Sequence, residues 1–316
     1  MTDHLSSTSF ENFQWVPESV DVFDQVHTAL FGKPLKGKIV NDLDKFQTIH
    51  EPQCGKDYSD LKYKLLIIVK SSVQHSKARD IIRTTWGNEK FIEDYLIRTI
   101  FIIGQFPDDK EQLSMSGAIQ RESELHGDIL VIDKPDVYNN NILKFLYSIR
   151  YAHRPSNECS PPDFVLLIDD DYMLSTHNLI KLLNERSSTD EMYEGWMFNT
   201  SPFRFKLHKH AISVNDYPYN RYPPYITAGA VLLSKSTVDR FFYAIQLVKL
   251  FPFDDVYAGI VSYLLRIRPD HNDKFLFWSR DVSHEEWMDG EVICAHGYNP
   301  SKMEEEFPLV RFTVPG

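Results

Sequence analysis

Short apolar runs alternate with helical patterns along the first half of the chain. Runs of mostly apolar residues predict buried strands at 65–69, 97–103, 128–132 and 164–168. Apolar spacing and end signals predict helices at 76–86, 110–126, 142–152 and 176–185. Strands that alternate with helices are typical of an α/β fold with a mainly parallel sheet and right-handed crossovers.

The second half of the chain follows a different order. Its apolar runs predict strands at 195–198, 226–233, 275–278 and 291–295. Two helices are predicted between them, at 236–249 and 255–267. Residues 1–60 show no strong period, because prolines and glycines interrupt them. We therefore predict an N-terminal, stem-like extension over 1–60, packed on or tethering one domain over 61–316.

Composition and charge exclude several classes of protein. With 34 Lys and Arg against 45 Asp and Glu, the net charge is −11, and no basic cluster stands out. A nucleic-acid-binding protein is therefore disfavoured. The longest apolar runs have about five residues, whereas a bilayer span needs roughly 20, so we expect no transmembrane segment in this chain. The three cysteines (Cys54, Cys159 and Cys294) leave one disulfide with a free thiol, or three thiols, equally open.

An acidic triplet, Asp169-Asp170-Asp171, directly follows the strand predicted at 164–168. Ligands of open parallel sheets bind beyond the carboxyl ends of the strands. Carboxylates there suit Mg²⁺ or Mn²⁺, ions that commonly bridge a protein to a diphosphate. A solvated acidic turn is the alternative. The chain has no G-x-x-x-x-G-K-[ST] motif and no G-x-G-x-x-G after the first strand, so diphosphate binding would need a metal and basic residues.

Other candidate residues each have two interpretations. Arg79 and Arg83, one helical turn apart, could face an anion or be solvated. Asp254 and Asp255 precede an apolar helix, where a carboxylate could cap the helix or act as a general base. His296 ends an apolar run and could bind a metal or be structural. The Tyr-Pro-Pro-Tyr turn at 222–225 could stack on a sugar or pack at the edge of the core.

Together, these blocks resemble the family-31 glycosyltransferases, which include β-1,3-galactosyltransferases, β-1,3-N-acetylglucosaminyltransferases and Fringe. The resemblance covers roughly residues 54–303. It rests on ordered blocks: Arg79-Asp-Ile-Ile-Arg-Thr-Thr-Trp-Gly, Glu124 with Gly127-Asp128-Ile129, Asp136-Val-Tyr-Asn-Asn through Lys144, the acidic triplet, Tyr222-Pro-Pro-Tyr with Gly229, Asp254-Asp-Val-Tyr-Ala-Gly, and His296 with Met303.

The resemblance implies a single-domain type-A glycosyltransferase fold and a role for each matching residue. Asp171 would be the principal ligand of Mn²⁺ (Mg²⁺ is possible), with Asp169 and His296 as further ligands. Asp255 would be the catalytic base. The donor side would contain Arg79, Arg83, Lys144 and Asp170. The acceptor side would contain Trp196, Tyr222, Tyr225 and Asp254.

The implied reaction moves galactose from UDP-galactose to the 3-hydroxyl of an acceptor sugar on a glycoprotein or glycolipid, with inversion to a β-1,3 linkage. Two alternatives stay open: the same chemistry with UDP-GlcNAc, and a catalytically silent member that only binds a sugar or nucleotide. Asp254 departs from the family's Glu, and the chain has fewer cysteines than most members. Family members are usually anchored in the Golgi membrane, so we expect the Golgi lumen, although no anchor or signal peptide is visible here.

Overall fold

The computed structural model describes residues 8–16, 20–52, 63–107, 109–154 and 161–310. Cys54 and Cys159 lie outside these ranges, and Cys294 is a buried free thiol. The described strands are β1 (Thr48–His50), β2 (Tyr63–Lys70), β3 (Phe91–Ile92), β4 (Tyr95–Gln105), β5 (Ile129–Pro135), β6 (Phe164–Asp169), β7 (Tyr172–Leu174), β8 (Tyr193–Phe198), β9 (Tyr225–Ser234), β10 (Asp270–His271), β11 (Phe275–Leu276) and β12 (Cys294–His296).

The described helices include every helix that the sequence predicts. They are α1 (Val22–Leu30), α2 (Ser76–Thr84), α3 (Asp109–His126), α4 (Asn141–Ala152), α5 (Thr176–Leu183), α6 (Lys235–Leu247), α7 (Asp254–Leu264), α8 (His284–Met288) and α9 (Pro300–Val310). None of the helices in the described ranges is both long and apolar enough to span a bilayer.

A nine-stranded sheet organises the molecule, in the order β1-β5-β4-β2-β6-β9-β8-β10, with β3 beside β4. Strands β5, β4, β2 and β6 are parallel, whereas β9 runs antiparallel to both of its neighbours. Ile67 and Ile68 of β2 are both fully buried, although they point to opposite faces, because packed layers cover the sheet on both sides. The predicted α/β fold with a mixed, mainly parallel sheet is confirmed.

The described part of the predicted N-terminal extension is built into the same folded unit. Helix α1 packs on α6, and β1 adds an antiparallel edge strand next to β5. The indole of Trp15 donates to the Lys249 carbonyl at 2.8 Å. Strands β1 and β2, on either side of residue 60, belong to the same sheet.

A second, three-stranded sheet (β11-β12-β7) lies beside the carboxyl end of β6. Asp170 and Asp171 form the turn from β6 into β7, and β7 pairs antiparallel with β12. This small sheet therefore carries the acidic triplet on one strand connection and His296 on the paired strand. The start of α7 lies near the same end of β6, because Lys70 contacts both Asp169 and Asp254.

Candidate active site

A lysine that the sequence analysis did not single out joins the two acidic segments. Lys70 ends β2, where the parallel register places it beside Asp169 of β6. Its Nζ lies 3.1 Å from Asp169 Oδ1 and 3.1 Å from Asp254 Oδ2, and only 9% of its side chain is exposed. Burial opposes its charge, but the two carboxylates outweigh burial and raise the pKa of Lys70. The ammonium thus links the triplet to the start of α7.

The three aspartates of the triplet point to three different partners. Asp169 forms an ion pair with the Lys70 ammonium, and this contact lowers its pKa. Desolvation and the charges of Asp171 and Asp254 outweigh the contact and raise the pKa of Asp169 to about 6. Asp170 accepts a hydrogen bond from Ser71 Oγ at 2.6 Å, and its Oδ2 lies 2.9 Å from His75 Nδ1. Asp170 therefore holds the loop that follows β2.

Asp171 meets His296 across the small sheet. The β7–β12 register pairs Tyr172 with His296, which brings His296 Nε2 to 3.1 Å from Asp171 Oδ2. The Asp171 carbonyl also accepts from the backbone N–H groups of Gly297 and Tyr298, at 3.0 and 2.9 Å. Gly297 has φ of +96°, and a Cβ there would collide with Ser279. Two of the three predicted metal ligands, Asp171 and His296, are thus held together by backbone pairing.

The donor atoms of Asp171 and His296 suit a divalent cation, whereas Asp169 is less suited. Asp171 Oδ1 is buried and has no hydrogen-bond partner among the described residues, and an imidazole nitrogen and a carboxylate oxygen are ligands for Mn²⁺. Asp169 instead forms its ion pair with Lys70. Across the described residues, no group of three or more His, Cys, Asp or Glu side chains forms a ready metal cage. A cation here would draw further ligands from substrate phosphates and water, as Mg²⁺ commonly does.

The predicted base stands in the first turn of α7. The N-cap of this helix is Phe253, with no side-chain cap, so neither Asp254 nor Asp255 is the capping residue that the alternative interpretation required. Asp255 Oδ1 accepts from the backbone N–H of Val256 at 2.7 Å. Desolvation, followed by the charge of Asp254, raises the pKa of Asp255 to about 7. Such a carboxylate is well matched to accept a proton near neutral pH.

The two arginines assigned to the donor side are held by carboxylates of the protein. Arg79 is fully buried and forms a bidentate pair with Glu122 at 2.8 and 2.7 Å. Its Nη1 also donates to Ser71 Oγ and to the Ser72 carbonyl. Arg83 pairs in the same way with Asp128, at 2.9 Å for each bond. In this arrangement Arg79 supports the loop after β2 and does not itself face the cleft.

Lys144, also assigned to the donor side, is buried in the same way. Its Nζ donates to Asp136 Oδ1 at 2.6 Å and to the Ser71 carbonyl at 2.8 Å. The other oxygen of Asp136 accepts from the backbone N–H groups of Val73 and Gly104. Arg79 and Lys144 thus reach Ser71 from two sides, and their contacts indicate that they position this loop.

The residues assigned to the acceptor side lie at different depths. Tyr225 is 8% exposed, and its hydroxyl lies 3.2 Å from Thr200 Oγ1. Tyr222 is buried against Tyr217, with ring centroids 4.9 Å apart, so it packs in the core. Trp196, on β8, is half-buried. The turn at 222–225 is tied to the base helix, since a Cβ at Gly259 would stand 2.5 Å from Tyr225 Cβ.

Sequence reasoning missed both Lys70 and Glu122, the glutamate that pairs with the arginines. Glu124 hydrogen-bonds Gln120 on the surface of α3, whereas Glu122 pairs with both Arg79 and Arg83. The sequence did contain one indication that Lys70 belongs to the site. This lysine directly follows the apolar run of β2, at the edge of the sheet where the triplet is expected. Its partners, however, are distant in the sequence.

Comparisons with known proteins agree with this geometry. A family model described as Galactosyltransferase matches residues 77–273. The beta-1,3-galactosyltransferase bre-5 of Caenorhabditis elegans is 42% identical over 93% of this chain and 88% of its own length. The beta-1,3-galactosyltransferase brn of Drosophila melanogaster is 36% identical over 76% of this chain and 73% of its own. Human UDP-GalNAc:beta-1,3-N-acetylgalactosaminyltransferase 1 is 30% identical over 76% and 72%.

Solved structures resemble the chain more weakly. The galactosyltransferase LgtC, crystallised with donor and acceptor sugar analogs, covers 80% of this chain and 98% of its own, at 10% identity and a TM-score of 0.34. The family match includes the acidic triplet and the start of α7, and it spans well over half of the sequence. The predicted resemblance is confirmed: the chain belongs to the galactosyltransferase family, of the family-31 type.

Proposed function

We propose that this protein is an inverting, metal-dependent β-1,3-galactosyltransferase. It would move galactose from UDP-galactose to the 3-hydroxyl of an acceptor sugar on a glycoprotein or glycolipid. The observation that carries the proposal is Asp255, a half-buried carboxylate with its pKa raised to about 7. Its neighbour Asp254 is joined to Asp169 of the acidic triplet by Lys70. The names of the bre-5 and brn relatives support galactose as the donor sugar and the β-1,3 linkage.

The chemistry assigned to Asp255 is proton removal during a single displacement. The acceptor O3 attacks the anomeric carbon, and the bond from that carbon to the diphosphate oxygen breaks with its electron pair leaving on UDP. The acceptor proton passes to the Asp255 carboxylate. A positioned general base contributes roughly 10²–10⁴-fold to the rate. Attack opposite the leaving group converts an α-linked donor into a β-linked product.

Asp171 and His296 are the residues that would hold the divalent ion. When bound, the ion supplies positive charge next to the departing diphosphate. The loop at Ser71 and Ser72, held by Arg79 and Lys144, would position the donor beside them. The Golgi lumen, expected from the family resemblance, stays part of the proposal and agrees with glycan acceptors.

The first experiment measures UDP release with UDP-galactose, UDP-GlcNAc and UDP-GalNAc, each with Mn²⁺ and with EDTA. Asp255→Asn should abolish transfer while UDP binding, measured by calorimetry, persists. Asp94→Asn is the matched control, because Asp94 is an exposed aspartate at the opposite edge of the sheet. Preference for another donor, or turnover retained by Asp255→Asn, would contradict the proposal. UDP binding without turnover in the unsubstituted protein would favour the silent alternative.

The stereochemistry needs its own measurement. Proton NMR of the product distinguishes a β from an α linkage through the coupling constant of the anomeric proton. We expect a β-1,3-linked galactose from UDP-galactose. An α-linked product would refute the inverting mechanism, even if Asp255 proved essential.

A further inference from the structure

One segment of the connection between β8 and β9 differs in composition from the rest of the chain. Residues 203–210 have the sequence Phe-Arg-Phe-Lys-Leu-His-Lys-His, and we call them the basic-apolar loop. No Asp or Glu occurs from residue 195 to residue 215, although acidic residues make up 45 of the 316 in the chain. The loop therefore combines apolar and positive side chains in a protein whose net charge is −11.

The apolar side chains of the basic-apolar loop lie at the surface. Leu207 is 84% exposed, Phe203 is 52% exposed and Phe205 is 47% exposed. The exposed ring of Tyr138, from the segment before α4, stacks beside His210. Single exposed apolar residues are ordinary, but a group of them in one place indicates an interaction surface.

The positive side chains of the loop have two different environments. Arg204 is half-buried and donates to the backbone carbonyls of Ile212, Tyr217 and Tyr219, at 2.9, 2.9 and 2.7 Å. Lys206 and Lys209 are exposed, and neither pairs with a carboxylate among the residues that the structure describes. Arg204 therefore fixes the loop to the domain, whereas the two lysines are available to an external negative charge.

Further contacts give the loop a defined shape. The ring of His208 stacks on that of Phe203, with centroids 4.1 Å apart. The backbone N–H of Ile212 donates to the Phe203 carbonyl at 3.0 Å. Because these contacts and those of Arg204 hold the loop in place, binding through Phe205 and Leu207 would cost little ordering entropy.

The basic-apolar loop lies beside the start of α7. The Tyr138 hydroxyl is 3.2 Å from His210 Nε2, and the ring of His210 is 5.5 Å from that of Phe253. Phe253 directly precedes Asp254 and Asp255. A surface that binds this loop therefore lies near the predicted base.

We propose that the basic-apolar loop docks on a lipid surface that carries negative charge. Its apolar side chains enter the boundary between headgroups and acyl chains, and Lys206 and Lys209 contact the negative headgroups. A protein partner fits less well, because a stable protein–protein interface buries about 1,200–2,000 Å², and three apolar side chains on one loop form a much smaller patch. Docking holds the start of α7 close to the lipid surface.

Flotation with lipid vesicles tests the proposal, using the whole chain without donor or acceptor. The probes are vesicles of phosphatidylcholine alone and of phosphatidylcholine with phosphatidylserine in equal parts. We expect binding to the mixed vesicles that weakens as NaCl is added. Leu207→Ser should weaken this binding about tenfold, because one apolar side chain no longer enters the lipid. Lys206→Gln combined with Lys209→Gln should weaken it about five- to thirtyfold and remove most of its dependence on NaCl.

Exposed residues outside the loop provide matched controls. Leu125→Ser, on the surface of α3, and Lys33→Gln combined with Lys36→Gln should leave vesicle binding unchanged. The melting temperature of Leu207→Ser should equal that of the unsubstituted protein, because so exposed a side chain contributes little to folding.

Three results would overturn the proposal. The first is that the unsubstituted protein does not bind the mixed vesicles, and the second is that Leu207→Ser or the lysine variant binds them equally well. The third is self-association that Leu207→Ser abolishes, without vesicle binding, because it would assign the loop to a contact between copies of the chain. None of these results bears on the proposed function, which UDP release measures separately.

Discussion

Replacing Lys70 by methionine tests whether the ion bridge between the triplet and α7 stabilises the fold. The change removes one buried positive charge and keeps most of the side-chain volume. In the unsubstituted protein, the carboxylates of Asp169 and Asp254 each lie 3.1 Å from the Lys70 ammonium. The substitution leaves these two carboxylates near each other without that cation. Removing one partner of a buried ion pair commonly costs about 3–5 kcal/mol. Asp169 keeps 38% of its side chain exposed, so we expect a loss of about 3 kcal/mol at pH 7.5.

The loss should depend on pH in a definite direction. Without the ammonium, the pKa of Asp169 in the folded state rises further above the unfolded value of about 3.9. The folded state then binds more protons than the unfolded state, so the stability of Lys70→Met should increase as the pH falls from 7.5 to 5. Its deficit relative to the unsubstituted protein should therefore shrink.

Urea denaturation at pH 7.5 and pH 5.0 measures both effects. Lys36→Met is the control, since Lys36 is exposed, and its free energy of unfolding should change by no more than about 0.5 kcal/mol. If Lys70→Met is as stable as the unsubstituted protein at pH 7.5, the bridge contributes nothing. If its deficit is the same at both pH values, repulsion between uncompensated carboxylates is not the cause.

Three further outcomes are expected. The kcat/KM for transfer should rise through about pH 7 as Asp255 loses its proton, and a flat profile from pH 5.5 to 8.5 would contradict its role as base. Glu122→Gln should lower the free energy of unfolding by about 3 kcal/mol and weaken UDP binding in calorimetry, whereas Glu124→Gln on the surface should do neither. Gly259→Ala should cost about 1–3 kcal/mol in thermal unfolding, because its Cβ meets Tyr225 at 2.5 Å; an unchanged melting temperature would show that α7 can shift.

Much of the fold could be predicted from local patterns. The apolar run of β2 requires cover on both faces, and the alternation with helices identifies the α/β class. The position of the acidic triplet follows from the same pattern, because β6 must end at the edge where ligands bind. The ends of the elements were less accurate: the strand predicted over 275–278 stops at Leu276, and Phe277 and Trp278 lie outside it.

The partners of the charged residues could not be predicted in this way. From the sequence, Arg79 could face an anion or be solvated, yet it is buried and pairs with Glu122, 43 positions away. Glu122 and Glu124 have the same side chain and lie in the same helix, so their residue type does not distinguish them. They differ only in the face of α3 on which each one lies. Which carboxylate meets which cation depends on distances between elements, and hydrophobic periodicity carries no information about them.

By itself, the sequence determined the fold class, the carboxyl-end location of the site and the family, because each depends on short-range order or on matching motifs. Only the tertiary structure decided that Lys70 pairs with both Asp169 and Asp254, although Asp254 lies 184 positions after Lys70 in the chain. It also decided that Arg79 and Lys144 hold the loop at Ser71 and Ser72. The physical reason is that the strength of an ion pair or a ring contact depends on distance and burial, and both are set by packing between segments that are remote in the chain.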